Sequence, residues 1–133
     1  SILGGFAGQR AGKARRPRQP EPEPEPQVRV PSYFRREGKD LILEVPLTLS
    51  EAVLGTKVDV PTLEGTRLSV KVPPGTSSGA RLRLRGKGIA GGDQYLEMKV
   101  VVPTASDERS RELIDEFARR NPQRNPRLDT PWG

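Results

Sequence analysis

From Phe34 onward, apolar residues recur at every second position in short runs separated by turn residues. Leu41, Leu43, Val45 and Leu47 alternate with Ile42, Glu44, Pro46 and Thr48, the period-two pattern of a strand with one face in a core. Pro46 lacks the N–H that a central ladder needs, so this strand is expected at an edge or with a bulge. Ser50 is expected to cap one helical turn, Glu51 to Leu54, which Gly55 ends in a positive-φ conformation. Val58 and Val60 then mark a short strand. Leu63-Glu64-Gly65-Thr66 reads as a turn, and Leu68, Val70 and Val72 alternate with Arg67, Ser69 and Lys71, which together predict a hairpin.

Between Val72 and Gly88 the chain must turn, because Pro73 and Pro74 cannot both lie inside a ladder and Gly75 and Gly79 flank Thr76-Ser77-Ser78. A strand follows in which Arg81, Arg83 and Arg85 alternate with Leu82 and Leu84, closed by Gly86 and Gly88 around Lys87. Ile89 to Gly92 reads as a brief link to a last strand, where Leu96, Met98, Val100 and Val102 alternate with Tyr95, Glu97, Lys99 and Val101. Thr104 or Ser106 is expected to cap a helix starting near Asp107, with acids early and Arg119-Arg120 late, as the helix dipole prefers. Leu113, Ile114 and Phe117 share one face, which predicts packing on the sheet, and Asn121-Pro122 ends the helix. Several short strands and one late helix predict an all-β fold, an antiparallel β-sandwich or flattened barrel with one short helical turn and one C-terminal helix.

Residues 1–33 lack this periodicity. Gly4 to Gly8 enclose Phe6; Arg10, Lys13, Arg15, Arg16 and Arg18 follow without an acid among them; Pro20 to Pro26 alternate proline with glutamate. Fixed φ and like-charge repulsion favour an extended spacer there. The expected organisation is a linker over 1–33, a β domain over 34–120 and a tail over 121–133.

Composition narrows the chemistry. The 133 residues contain no cysteine and no histidine, which excludes a disulfide scaffold and a thiolate metal site and removes the usual general base. Glu44, Asp59, Glu97 and Asp107 are expected to face solvent, and neither Gly86-Lys87-Gly88 nor Gly91-Gly92-Asp93 has the spacing of a phosphate loop. The expectation is a non-enzymatic protein without cofactor or metal. No apolar run reaches the ~20 residues of a membrane span, so a cytoplasmic protein without membrane contact is expected. Since the chain begins with Ser1, it reads as a piece of something longer. A formal charge of +6 invites acidic partners.

Pro73-Pro74-Gly75-Thr76, Arg81-Leu82-Arg83 and Gly86-Lys87-Gly88 resemble the C-terminal domain of DnaJ-type J-proteins. So do Leu49 to Gly55, Val58 to Gly65, Gly92 to Leu96 and Val101-Val102-Pro103, in family order, over about residues 34 to 120. The link between Gly-Lys-Gly and Gly-Asp is shorter than is usual in that family. The resemblance implies a Gly/Phe-like linker before a β domain that binds unfolded polypeptide in a shallow apolar groove, as a co-chaperone module for a DnaK-type chaperone. That partner would be engaged through a J-domain, whose histidine-proline-aspartate motif these residues lack.

An antiparallel domain with short edges can take an extended chain by strand addition. Leu43, Val45, Val58, Val60, Leu63 and Leu68 are the candidate peptide-binding residues, each equally suited to an ordinary core. The alternative is a basic nucleic-acid module using Arg10, Lys13, Arg15, Arg16 and Arg18 with Arg81, Arg83 and Arg85. No aromatic residue lies among the cations between Glu64 and Asp93 to stack a base. The late helix and tail are further expected to support a homodimer.

Overall fold

A computed structural model of the chain describes Pro17, Pro20 and residues 29–133. The predicted Gly/Phe segment, the basic arm and nearly all of the proline-glutamate spacer lie outside the described residues. The elements are β1 (Phe34–Glu37), β2 (Asp40–Thr48), α1 (Leu49–Leu54), β3 (Thr56–Pro61), β4 (Arg67–Val72), β5 (Arg81–Leu84), β6 (Gln94–Val101), α2 (Glu108–Arg120) and a 3-10 turn (Pro126–Asp129).

The strands form two sheets, one ordered β1-β2-β6-β5 and the other the β3-β4 hairpin. The architecture is the expected sandwich-like all-β one, and no barrel closes among the described residues. Three pairings are antiparallel, but β2 and β6 run parallel, from Leu41 opposite Gln94 to Thr48 opposite Val101. The two sheets enclose Leu41, Leu43, Val45, Leu47, Val60, Val72, Leu96 and Met98. Ile42 is buried on the other side of the sheet, in register with Arg35 on one neighbour and Tyr95 on the other, whose long stems can cover it.

Local chemistry sets the element ends. The Glu51 N–H donates to Thr48 Oγ1 (3.2 Å) while the Thr48 N–H donates to Glu51 Oε1 (2.9 Å). This reciprocal pair makes Thr48, not Ser50, the cap of α1. Asp107 rather than Thr104 or Ser106 caps α2, its Oδ1 accepting from the Ser110 N–H at 2.7 Å; a carboxylate suits the positive end of the dipole better than a hydroxyl.

Two expectations about packing are corrected. Leu113, Ile114 and Phe117 do not bury themselves on the sheet; they remain 47%, 52% and 48% exposed. The inner face of the four-stranded sheet is already filled by the hairpin and its outer face by ion pairs, so α2 finds no apolar surface there. Conversely, Ile89 is no mere link: it is fully buried in the core. Its N–H donates to the Lys39 carbonyl at 2.7 Å, and a side chain at Gly92 would strike that same carbonyl. The 88–92 loop is thereby pinned to the β1–β2 turn.

Candidate functional site

β1 is only four residues long and accompanies β2 no further than Leu43. From Glu44 to Thr48, β2 is paired on its β6 side alone, and Pro46 lies in this uncovered half, in keeping with the edge expected for it. Beside this edge a cleft of about 320 Å³ runs between β2 and the end of β3. Leu43, Val45 and Val60 form its apolar floor, with Tyr33, Pro46 and Pro61 around them. Tyr33 is held at the mouth by its ring contact with buried Phe34, centroids 5.0 Å apart.

The six predicted peptide-binding residues thus divide. Leu43, Val45 and Val60 share the cleft, whereas Val58, Leu63 and Leu68 are half-buried against the core and do not line it. All six point inward by alternation, and only the shortness of β1 distinguishes those beside an open edge. Tyr33 was not anticipated; its one sequence signal is an aromatic residue just before the first strand.

A larger groove of about 550 Å³ lies between α1 and α2, walled by Leu49, Val53, Leu54, Ile114, Phe117 and Ala118. The sequence does not reveal it, because the apolar stripe of α2 reads equally well as a face for the sheet. A stripe reveals that a helix has a greasy face but not what it meets.

The arginine strand is less available than its sequence suggests. Arg81 holds Glu97 at 3.0 Å and lies 6.0 Å from the Tyr95 ring centre. Arg83 holds Asp93 through Nε (2.8 Å) and Nη2 (2.6 Å). The Gly86 N–H, followed by Arg83, holds the Asp93 carboxyl below its ordinary pKa, and Asp93 in turn raises that of Arg83. Arg85 alone of the three has no carboxylate partner among the described residues. Arg10, Lys13, Arg15, Arg16 and Arg18 lie outside those residues. Among the described residues no group of three His, Cys, Asp or Glu is placed to hold a metal, and no helix is long and apolar enough to cross a membrane.

Comparison with known proteins agrees with the family that the sequence resembles. The family model described as the DnaJ C terminal domain matches residues 25–103. This chain belongs to the DnaJ C-terminal domain family. It is similar to the Chaperone protein DnaJ of Roseiflexus castenholzii, 48% identical over 93 residues that cover 65% of this chain and 25% of that protein. The protein of the same name from Bacillus velezensis is 42% identical over 97 residues, 68% of this chain and 26% of its own length. That of Acetobacter pasteurianus is 43% identical over 90 residues, with 63% and 24% covered. The chain spans about a quarter of the length of these curated relatives.

Proposed function

We propose that this domain holds unfolded or non-native polypeptide as a non-enzymatic co-chaperone module. An extended client segment adds to the open edge of β2 and lays alternate apolar side chains over Leu43, Val45 and Val60. The supporting observation is the coincidence of an edge left bare from Glu44 to Thr48 with an apolar cleft alongside it. Main-chain hydrogen bonds give affinity without demanding a particular sequence, while the cleft favours apolar residues, which suits a client that has lost its shape. The named relatives support the chaperone role, and a DnaK-type chaperone in the cytoplasm is the partner proposed for the whole protein. These 133 residues contain no histidine for the J-domain motif that would engage it.

Hydrogen exchange of the full chain with and without a permanently unfolded client tests this reading. The N–Hs of Val45 and Leu47 point to β6, on the side where the Leu41 N–H meets the Asp93 carbonyl, so slowed exchange on binding is expected at Glu44, whose N–H faces the open edge. Client binding that leaves the Glu44 amide unchanged would overturn it.

We also propose that α2 mediates a homodimer. Its exposed Leu113, Ile114 and Phe117 form one stripe, while its charges are balanced within the helix, Arg109 holding Glu112 and Arg111 approaching Glu108 at one end and Arg120 approaching Glu116 at the other. Two copies related by a two-fold axis can cover each other's stripe, a self-complementary arrangement. The nucleic-acid alternative is weakened, because Arg81 and Arg83 are already engaged by carboxylates.

A further inference from the structure

The two sheets treat their surface cations differently. On the outward face of the four-stranded sheet, Arg35 and Arg81 share Glu97 (3.6 and 3.0 Å), Arg83 holds Asp93 (2.6 Å) and Lys99 reaches Glu44 (3.6 Å). The outward face of the hairpin, which alternation assigns to Lys57, Asp59 and Pro61 on β3 and Arg67, Ser69 and Lys71 on β4, is not balanced in this way. Lys57 stands directly opposite Lys71, an arrangement that costs stability between like charges. The side chains of Lys57, Arg67 and Lys71 are exposed and have no ion-pair partner among the described residues. Asp59, the one acid on this face, is opposite Ser69.

This basic face starts at the rim of the cleft, whose wall holds Arg67 and its register partner Pro61 beside Asp59 and Glu44, the latter reached by Lys99, and the cations Lys57 and Lys71 lie beyond these acids. We infer that Lys57, Arg67 and Lys71 select clients in which the apolar segment taken up by β2 is flanked by acidic residues. The inference rests on the strand-addition reading above. Alternate residues of an extended peptide repeat at about 6.8 Å, as do alternate residues along β4, so spaced carboxylates can meet Lys71 and Arg67 while straddling Asp59. Nucleic acid, with a charge on every phosphate and bases to stack, fits this face poorly: Asp59 sits within it and none of its six residues is aromatic.

The test measures fluorescence anisotropy of the full chain with three labelled peptides sharing one apolar core and flanked by Glu, Gln or Lys. The Glu-flanked peptide is expected to bind about fivefold tighter than the Gln-flanked one at low salt, as two or three exposed pairs would give, with the Lys-flanked one weakest and the gap closing in high salt. Lys57→Gln with Lys71→Gln should shrink the gap to less than about twofold, as Arg67 alone would give, while leaving Gln-flanked binding unchanged. Lys39→Gln with Arg85→Gln, the same charge change elsewhere, should preserve it. If Gln-flanked binding is intact but the gap is absent, survives undiminished in the hairpin variant, or shrinks equally in the control variant, the inference is overturned. If no peptide binds, strand addition itself is overturned, and the flank preference with it.

Discussion

Asp93 grips Arg83 through two guanidinium nitrogens, at 2.8 and 2.6 Å, while its other carboxylate oxygen accepts the Gly86 N–H at 2.9 Å. Its own N–H donates to Asp40 Oδ1 at 2.8 Å and its carbonyl accepts the Leu41 N–H at 2.9 Å. One residue thus ties the end of β5 to the start of β2. The Gly-Asp step in the sequence is where these two strands, on either side of β6, are fastened together.

This arrangement predicts an acid dependence. The Asp93 carboxyl is held below its ordinary value, first by the Gly86 N–H and then by Arg83, and that of Asp107 is lowered by the Ser110 N–H it caps. A group whose pKa is lower folded than unfolded contributes stability above the unfolded value, about 3.9 for Asp, and loses it as pH falls through the folded value. The urea midpoint should therefore be flat near neutrality and fall below about pH 4. Asp93→Asn should lower the midpoint at pH 7 and flatten its decline in acid, so that the two proteins converge at the lowest pH. Parallel curves from pH 7 down to pH 3 would show that the Asp93 charge does not support the fold.

Thr48→Ala removes the acceptor for the Glu51 N–H and breaks the reciprocal cap of α1. A loss of about 1 kcal/mol is expected, measured by urea unfolding, whereas Ser50→Ala should change little. Equal losses at the two positions would return the cap to Ser50.

How much of this was legible in the sequence depends on whether the deciding partner is near or far along the chain. Alternation sufficed for β2, β4, β5 and β6, because burial on one face of a strand leaves a period of two wherever it occurs. It was silent on β2 running parallel to β6, since the two lie some fifty residues apart and either direction buries Leu43 and Leu96. It also could not separate Val45 and Val60, core residues that also floor a cleft, from Val58 and Leu68, which pack against that core away from the cleft. That difference is made by β1 ending early, a property of a neighbour rather than of the residues themselves. The α2 stripe shows the same limit.

Ile89 reads as a linker in the sequence because a lone apolar residue among Gly86, Gly88, Gly91 and Gly92 makes no period. Its full burial predicts that Ile89→Ala costs about 2–5 kcal/mol through a cavity the pinned loop cannot close. Ala90→Gly, next to it, should stabilise by about 0.5 kcal/mol, because Ala90 occupies a left-handed backbone conformation (φ 47°) that glycine adopts without strain. Thermal unfolding of the two variants tests both statements. A negligible loss for Ile89→Ala would mean that the loop is not part of the core.

Phe117 separates self-association from folding. Nearly half of it is exposed, so Phe117→Ser should leave the unfolding midpoint of the monomer close to that of the parent. In a two-fold pair of α2 helices, two copies of the ring lose water contact, and full burial of such a side chain is worth about 1.5–3 kcal/mol. The substitution should therefore weaken the dimer by at least about tenfold, seen in sedimentation velocity across a concentration series. A parent chain that stays monomeric at high micromolar concentration, or a Phe117→Ser chain that associates as tightly as the parent, would remove the α2 dimer.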